Sequence, residues 1–406
     1  MNKNILIAAA VVVVAAIGVG VWMQSGADEG DVKIGFLGGF TGPIESLSPA
    51  IFDGAQLAVA QVNEQGGILN GRTVVMPSAD TTCVDASAAS NAADRLVNSE
   101  NVTAIVGALC TGATIAAANN AGIPGNVVMV SPASTAPAVT TLNDNDLVFR
   151  TVPSDAFQGA ALARLLLSKG IDTVAVTYVN NDYGRGLADA FTGEFQNGGT
   201  VAANLAHEDG RADYRSELGN LASTGAQTLV VLAYADGSGQ TILRQAHESG
   251  NFTQYVGADG MVGDALINAV GASVLEGMIA TRPGTPDIPG AEIFAGMATA
   301  SGLDPNAVFA AQSYDAAFLL ALAIEKNGSA DRAGLSAALR EVSSAPGEII
   351  LPGEWEKAKR LIAAGTAINY EGASGSHEFD ENGDVPGVVV EMVVRGGTFV
   401  TLGFIE

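Results

Sequence analysis

Short apolar runs, each ending in a turn rich in glycine or hydroxyl residues and each followed by a helix-spaced stretch, recur in order along most of the chain. Strands are predicted at 31–37, 72–76, 103–106 and 127–130, with helices at 52–63, 86–98 and 114–120 between them. In the first helix Phe52, Ala55, Val59 and Val62 recur at three- and four-residue steps, and Gly66-Gly67 stops it. A strand-helix-strand rhythm of this regularity admits a parallel sheet with helices on its faces and little else.

The rhythm restarts after Phe149-Arg150-Thr151-Val152-Pro153-Ser154, read as a crossing between two lobes. Helices at 156–168, 187–196, 214–223 and 240–249 alternate with strands at 173–179, 200–205, 228–234 and 254–257, which builds a second parallel sheet. A strand at 277–281 ends in Arg282-Pro283-Gly284-Thr285-Pro286, the return crossing. Helices at 291–299, 307–326 and 332–342 complete the first lobe, and a strand at 388–394 returns to the second. At 406 residues the chain has room for two lobes of this size. The expected organisation is a leader at 1–27, a first lobe of 28–152 plus 282–385, and a second of 153–281 plus 386–406.

Residues 5–23 (ILIAAAVVVVAAIGVGVWM) carry no charge, follow Lys3, and precede Ser25-Gly26-Ala27, a small-residue pattern suited to cleavage before Asp28. This reads as an export signal, with an uncleaved anchor as the alternative, since the run is about long enough to span a bilayer. The rest of the chain carries an excess of 25 acidic side chains, which repels nucleic acid. The only cysteines are Cys83 and Cys110. In an exported chain such a pair reads as one disulfide, with two buried thiols as the alternative.

Enzyme chemistry finds little support. Of His207, His247 and His377, none stands beside a plausible nucleophile, and Gly372-Ala373-Ser374-Gly375-Ser376-His377 has the wrong spacing for a nucleophile elbow. Gly35, Gly38, Gly39 and Gly42 form neither dinucleotide nor P-loop signature, so no cofactor is expected. Asp380-Glu381-Asn382-Gly383-Asp384 imitates part of a calcium loop but has Val385 where the bend needs glycine. It reads as a turn before a strand, and no metal site is expected.

Two strand ends differ in kind: Leu109-Cys110-Thr111-Gly112-Ala113-Thr114, and Ser131-Pro132-Ala133-Ser134-Thr135-Ala136-Pro137. At neighbouring carboxyl edges of a parallel sheet, free N–H groups and hydroxyls there grip a small anion, with Thr111 and Thr135 as donors. An ammonium acceptor from the other lobe is expected in Asp259, after strand 254–257, accompanied by Tyr234 and Tyr183. A carboxylate receiving an ammonium makes charge-assisted bonds.

With these residues the chain resembles the periplasmic branched-chain amino-acid binding proteins, the type I solute receptors of ABC transporters. The resemblance covers essentially everything after the leader. It is carried, in order, by Ile34-Gly35 through Gly42-Pro43, Asp53-Gly54-Ala55, Leu109-Cys110-Thr111, the Ser131 to Pro137 loop, Phe149-Arg150, Tyr183-Gly184-Arg185-Gly186, QTILRQA from Gln240, and Phe379-Asp380-Glu381-Asn382-Gly383-Asp384. It implies two doubly wound parallel-sheet lobes joined by a three-strand hinge, the type I periplasmic binding protein fold, with a disulfide between Cys83 and Cys110. It implies a ligand α-carboxylate held by Thr111, the backbone at Ala133, and Thr135, and an α-ammonium met by Asp259, Tyr234 and Tyr183. The family often has Glu where Asp259 stands, one methylene longer, and an aromatic where Leu47 stands. Phe40, Glu45, Leu47 and Leu109 are the candidate lining for the ligand side chain; Glu45 there would favour a polar or cationic one, but a solvated loop glutamate is the preferred reading.

The function implied is a periplasmic, monomeric receptor that binds a small amino acid of the branched-chain or hydrophobic type between two lobes by hinge closure and passes it to the membrane subunits of an ABC permease. The alternatives are the sensing domain of a membrane-anchored signalling system, or a receptor for a small amide or urea-like solute.

Overall fold

The computed structural model describes residues 30–405; the expected leader lies outside them. Fifteen strands run in chain order: β1 (Val32–Gly38), β2 (Val74–Val75), β3 (Ser78–Asp80), β4 (Ala104–Gly107), β5 (Val128–Ser131), β6 (Val148–Arg150), β7 (Thr173–Val179), β8 (Thr200–His207), β9 (Thr228–Leu232), β10 (Gln254–Gly257), β11 (Ile279–Pro283), β12 (Glu348–Ile350), β13 (Ile368–Tyr370), β14 (Val389–Arg395) and β15 (Thr398–Phe404).

The first sheet has the order β2-β1-β4-β5-β6, with β3 also paired to β1, and every pairing is parallel. β4 and β5 are buried throughout, as expected where helices cover both faces of a parallel sheet. The second sheet has the order β15-β14-β11-β10-β9-β7-β8. Its core is parallel, while β14 runs antiparallel to β11, and β15 to β14. β12 and β13 form a separate parallel pair.

The helix Ser48–Glu64 packs along Ala310–Asn327, in which every residue from Ala310 to Ile324 is buried. Apolar residues all round such a helix make it a core element rather than a surface one. The contact depends on Gly54, where a Cβ would meet the Ala310 carbonyl oxygen at 2.3 Å.

In each sheet the strand order reverses direction once, at β1/β4 and at β7/β9. Loops leaving the carboxyl ends of strands at such reversals diverge and open a crevice. Both crevices are used by the site described below.

Three segments pass between the sheets: the chain after β6, the chain after β11, and the chain before β14. They are tied to one another and to the first lobe. Arg150 N–H donates to the Gly383 carbonyl (3.0 Å), Gly284 N–H to the Val388 carbonyl (2.8 Å), and the Thr151 hydroxyl to the Gln312 carbonyl (2.8 Å). Arg150, fully buried, clasps Asp384 through Nε (2.7 Å) and Nη2 (2.6 Å). Two parallel bonds between a guanidinium and a carboxylate fix orientation as well as charge. Asp384, placed by sequence in the partial calcium loop, is thus committed to Arg150, while Asp380 Oδ1 accepts the N–H groups of Asn382 and Asp384 in its own turn.

Several elements escape the sequence reading. β3, β12, β13, β15 and the helix Trp355–Ala363 were not expected, and the helix after β4 starts at Thr111 rather than 114. The second sheet is not wholly parallel, because β14 and β15 add antiparallel strands at its edge.

Candidate ligand-binding cleft

Of the hydroxyls at the ends of β4 and β5, most are consumed in joining the two loops. Ser131 Oγ donates to the Ala108 carbonyl at 2.5 Å, Thr114 Oγ1 to the same oxygen at 3.0 Å, and Thr114 and Ser134 share a hydrogen bond at 2.7 Å. The loops are further pinned by the disulfide between Cys83 and Cys110, with Cα atoms 5.5 Å apart. Arg150 Nη1 holds the carbonyls of Ser134, Thr135 and Ala136 at 2.8–3.3 Å. Thr111 and Thr135 are left over. Thr111 lines the cavity together with Ala133, Cys110 and Leu109, and its Oγ1 accepts only a long bond, 3.4 Å, from the Ala136 N–H.

Facing these are the ends of β7, β9 and β10. Asp259, 3 % exposed, accepts from Gln158 Nε2 (2.8 Å) and the Tyr183 hydroxyl (3.1 Å) at Oδ1. Burial pushes its carboxyl up to about 6, against the hydrogen bonds from Gln158 and Tyr183 that favour its charge. Tyr183 and Tyr234 stack with ring centroids 5.0 Å apart, and Asn181 donates to the Tyr234 hydroxyl at 3.3 Å. Burial, and then the nearby Asp259 charge, raise the Tyr183 phenol well above its ordinary range, so it stays a neutral donor.

The cavity between these walls comprises about 360 Å³ of non-atom space, part of it open to solvent. Larger hollows of about 1220 and 1570 Å³ of non-atom space flank the crossing after β11, but the small cavity is the one where buried donors and a buried acid converge. Its remaining wall is apolar: Ile44, Leu47, Ile51, Leu109 and Phe309.

Thr111, Ala133, Tyr183, Tyr234, Asp259, Leu47 and Leu109 therefore share one cavity. Thr135 is buried outside the lining, its hydroxyl turned to the Asp155 carboxyl. Two expected lining residues lie elsewhere. Phe40 belongs to an aromatic cluster, 6.0 Å from Phe36 and 5.6 Å from Phe52 between ring centroids. Glu45 is exposed, because the turn before Ser48 sends Ile44 inward in its place. Glu45 is thus a solvated loop acid, and the wall beside it is apolar. The inward set Ile44, Leu47 and Ile51 follows a three- and four-residue step, a signal present in the sequence. Phe309 had none.

Ser374 and His377, the nearest approach to a hydrolase motif, are turned to the buried Asp315. Ser374 Oγ donates to its Oδ2 at 2.6 Å, and Tyr370 donates to Oδ1 at 2.6 Å. The cluster anchors the loop after β13 to the helix Ala310–Asn327. Among the described residues no group of acidic, histidine or cysteine side chains is arranged to hold a metal ion.

Two doubly wound lobes that face each other across a small cavity, with donors on one side and an acid on the other, define a two-lobed solute-binding protein. The chain belongs to the periplasmic binding protein family, whose model matches residues 31–373. It is 29 % identical over 357 residues to a leucine-, isoleucine-, valine-, threonine- and alanine-binding protein of Pseudomonas aeruginosa, covering 87 % of each chain. It is 28 % identical to the substrate-binding protein BasB of a chemotactic signal transduction system in Halobacterium salinarum, over 79 % of this chain and 76 % of that one. The fold matches the crystal structure of the leucine-binding protein LivK from Thermotoga maritima with a TM-score of 0.78 at 29 % identity, over 92 % of this chain and 99 % of that one. Among the described residues no helix is long and apolar enough to cross a membrane.

Proposed function

We propose that the protein is an extracytoplasmic receptor that captures one small amino acid with an apolar side chain between its lobes and delivers it to an ABC permease. The lobes are 28–152 plus 282–385 and 153–281 plus 386–406, hinged at the three crossings. The observation that carries the reading is the cavity itself: Thr111 and Ala133 after the strands of the first sheet, and Tyr183, Tyr234 and Asp259 after those of the second, line it together with the apolar Ile44, Leu47, Ile51, Leu109 and Phe309. That set suits an α-carboxylate and an α-ammonium, carried on one carbon, and an aliphatic side chain beside them. Names of relatives that bind leucine, isoleucine and valine support it.

No bond is made or broken. The solute contacts both lobes only when they are closed, so its binding energy shifts the population toward the closed form, whose surface the permease reads. Thr111 and the Ala133 backbone hold the carboxylate from the first lobe. Asp259 and the tyrosines hold the ammonium from the second.

A thermal-shift screen tests this. Leucine, isoleucine or valine at a hundredfold excess over its dissociation constant is expected to add about 2.7 kcal/mol of stability, while lysine and glutamate give no shift. Indifference to every amino acid overturns the reading.

The similarity to BasB favours a second reading, a sensing receptor held at the membrane. The N-terminal mass of the purified protein separates the two: a start at Asp28 fits the released transport receptor, an intact Met1 the tethered sensor.

A further inference from the structure

One arginine set between packed elements lacks an acceptor. Arg150 and Arg332 each hold three backbone carbonyls, and Arg340 pairs with Asp146. Arg282, on β11 at the second of the three crossings, has no such commitment. Its Nε is sealed from solvent without an acceptor, and among the described residues none takes a hydrogen bond or an ion pair from its guanidinium. A buried N–H left unmatched costs stability, more so on a charged group. Burial lowers Arg282 below its ordinary range, with the Asp304 charge acting against that, and an arginine keeps its proton all the same.

Arg282 borders open space. It lines both hollows that flank the crossing, the smaller with about 1220 Å³ of non-atom space. Strand register fixes what stands beside it: Arg282 is paired with Val390 on β14, and Val390 with Phe404 on β15. Residues opposite one another on neighbouring strands share a face of the sheet, so a cation, an aliphatic and an aromatic side chain form one row, roughly 10 Å across at two strand spacings. Gly284 lies against the same row, since a Cβ there would stand 2.7 Å from Val390 Cγ1 and 3.4 Å from Phe404 Cε1. All three side chains line the smaller hollow, and Phe404 is 53 % exposed. Gln312 lines it from the first lobe, almost wholly buried, and no described residue bonds its side-chain amide.

We propose that this hollow binds a singly charged carboxylate with a short apolar body, the carboxylate on the Arg282 guanidinium and the body over Val390 and Phe404. A carboxylate accepts two parallel N–H bonds from a guanidinium, which meets the unmatched Nε. The amide of Gln312 offers a further donor. Asp287 and Glu292, both exposed, line the same hollow. Their charge disfavours a polyanion such as phosphate and restricts the occupant to a single negative charge. The hollow shares no lining residue with the small cavity of the cleft, so the site is independent of the receptor reading above.

Titration of sodium hexanoate into the purified protein at constant ionic strength, followed by saturation-transfer NMR, tests this. The wild type is expected to bind hexanoate more tightly than acetate, which lacks the body, than hexanamide, which lacks the charge, and than inorganic phosphate. Arg282→Gln is expected to weaken hexanoate by about tenfold or more. Arg282→Lys weakens it less, because it keeps the charge and loses the fork, and Phe404→Ala weakens it by about threefold. Asp304→Asn, which removes an acid near the guanidinium, strengthens it. Phe404 is exposed, so its variant reads the site even if a change at Arg282 disturbs folding. Thr111→Val is expected to leave hexanoate binding unchanged, whereas a carboxylate lodged in the cleft would lose that donor. Absence of hexanoate binding to the wild type, affinity unmoved by Arg282→Gln, or equal affinity for hexanamide or phosphate overturns the proposal. Loss of hexanoate binding with Thr111→Val overturns it as well. Each of these outcomes leaves the receptor reading to the amino-acid screen, which does not involve Arg282.

Discussion

The two walls of the cleft handle charge in opposite ways. The first lobe contributes no charged side chain to the cavity, only Thr111, the backbone around Ala133 and apolar side chains. The second places a buried carboxylate, Asp259, on the hydroxyl of Tyr183, one of a stacked pair of tyrosines. Neutral donors can stand open between solutes at little cost, whereas a buried carboxylate must be held, solvated by protein dipoles, or protonated. The first wall is therefore rigid and permissive, pinned by the disulfide and by Arg150. The second is selective, because an ammonium is what a buried carboxylate there is suited to receive.

Removing the pin of the first wall gives the largest expected effect. Reduction of the Cys83–Cys110 bridge, which closes a loop with a sequence separation of 27, is expected to destabilise the protein by about 3.5 kcal/mol on the chain-entropy argument. Urea unfolding with and without reductant measures it, and an unchanged midpoint would show that the loops are held without it. Next comes the selective wall. Asp259→Ala is expected to weaken leucine binding by about 10- to 150-fold, from the roughly 1.5–3 kcal/mol of a charged hydrogen bond, with the melting temperature of the solute-free protein preserved. Affinity within threefold of wild type would take the ammonium away from Asp259. The permissive wall should respond least: Thr111→Val removes one neutral donor, about 0.5–1.5 kcal/mol, and is expected to weaken binding by about two- to tenfold. A larger loss there than at Asp259 would invert the comparison.

The second lobe was more legible in sequence than the first. Its strands at β7 and β10 lie where the apolar runs placed them, and Tyr183, Tyr234 and Asp259 follow strand ends directly. In the first lobe five hydroxyl residues compete for the same description, and only tertiary hydrogen bonding shows that Ser131, Thr114 and Ser134 are used up while Thr111 is free. Trp355–Ala363 was readable, with apolar residues at 355, 358, 361 and 362 in helical step. β12 and β15 were not. β12 is three residues long, and β15 is almost wholly exposed, so burial imposes no alternation on either.

The alternation of apolar runs and helical spacing determined two parallel sheets, because only that arrangement buries each strand on both faces. It also determined that polar loops would gather at the carboxyl ends of the strands. Tertiary structure decided which atoms meet there. Gln158 and Asp259 are 101 residues apart in sequence and are joined by a hydrogen bond of 2.8 Å that only the folded chain makes. Phe309 enters the apolar wall from the far end of the chain, and Glu45 yields its place to Ile44 through the geometry of one turn. Local periodicity reports which face of an element a residue occupies. Which faces are brought together depends on strand order and on the path of the crossings, and these are properties of the folded whole.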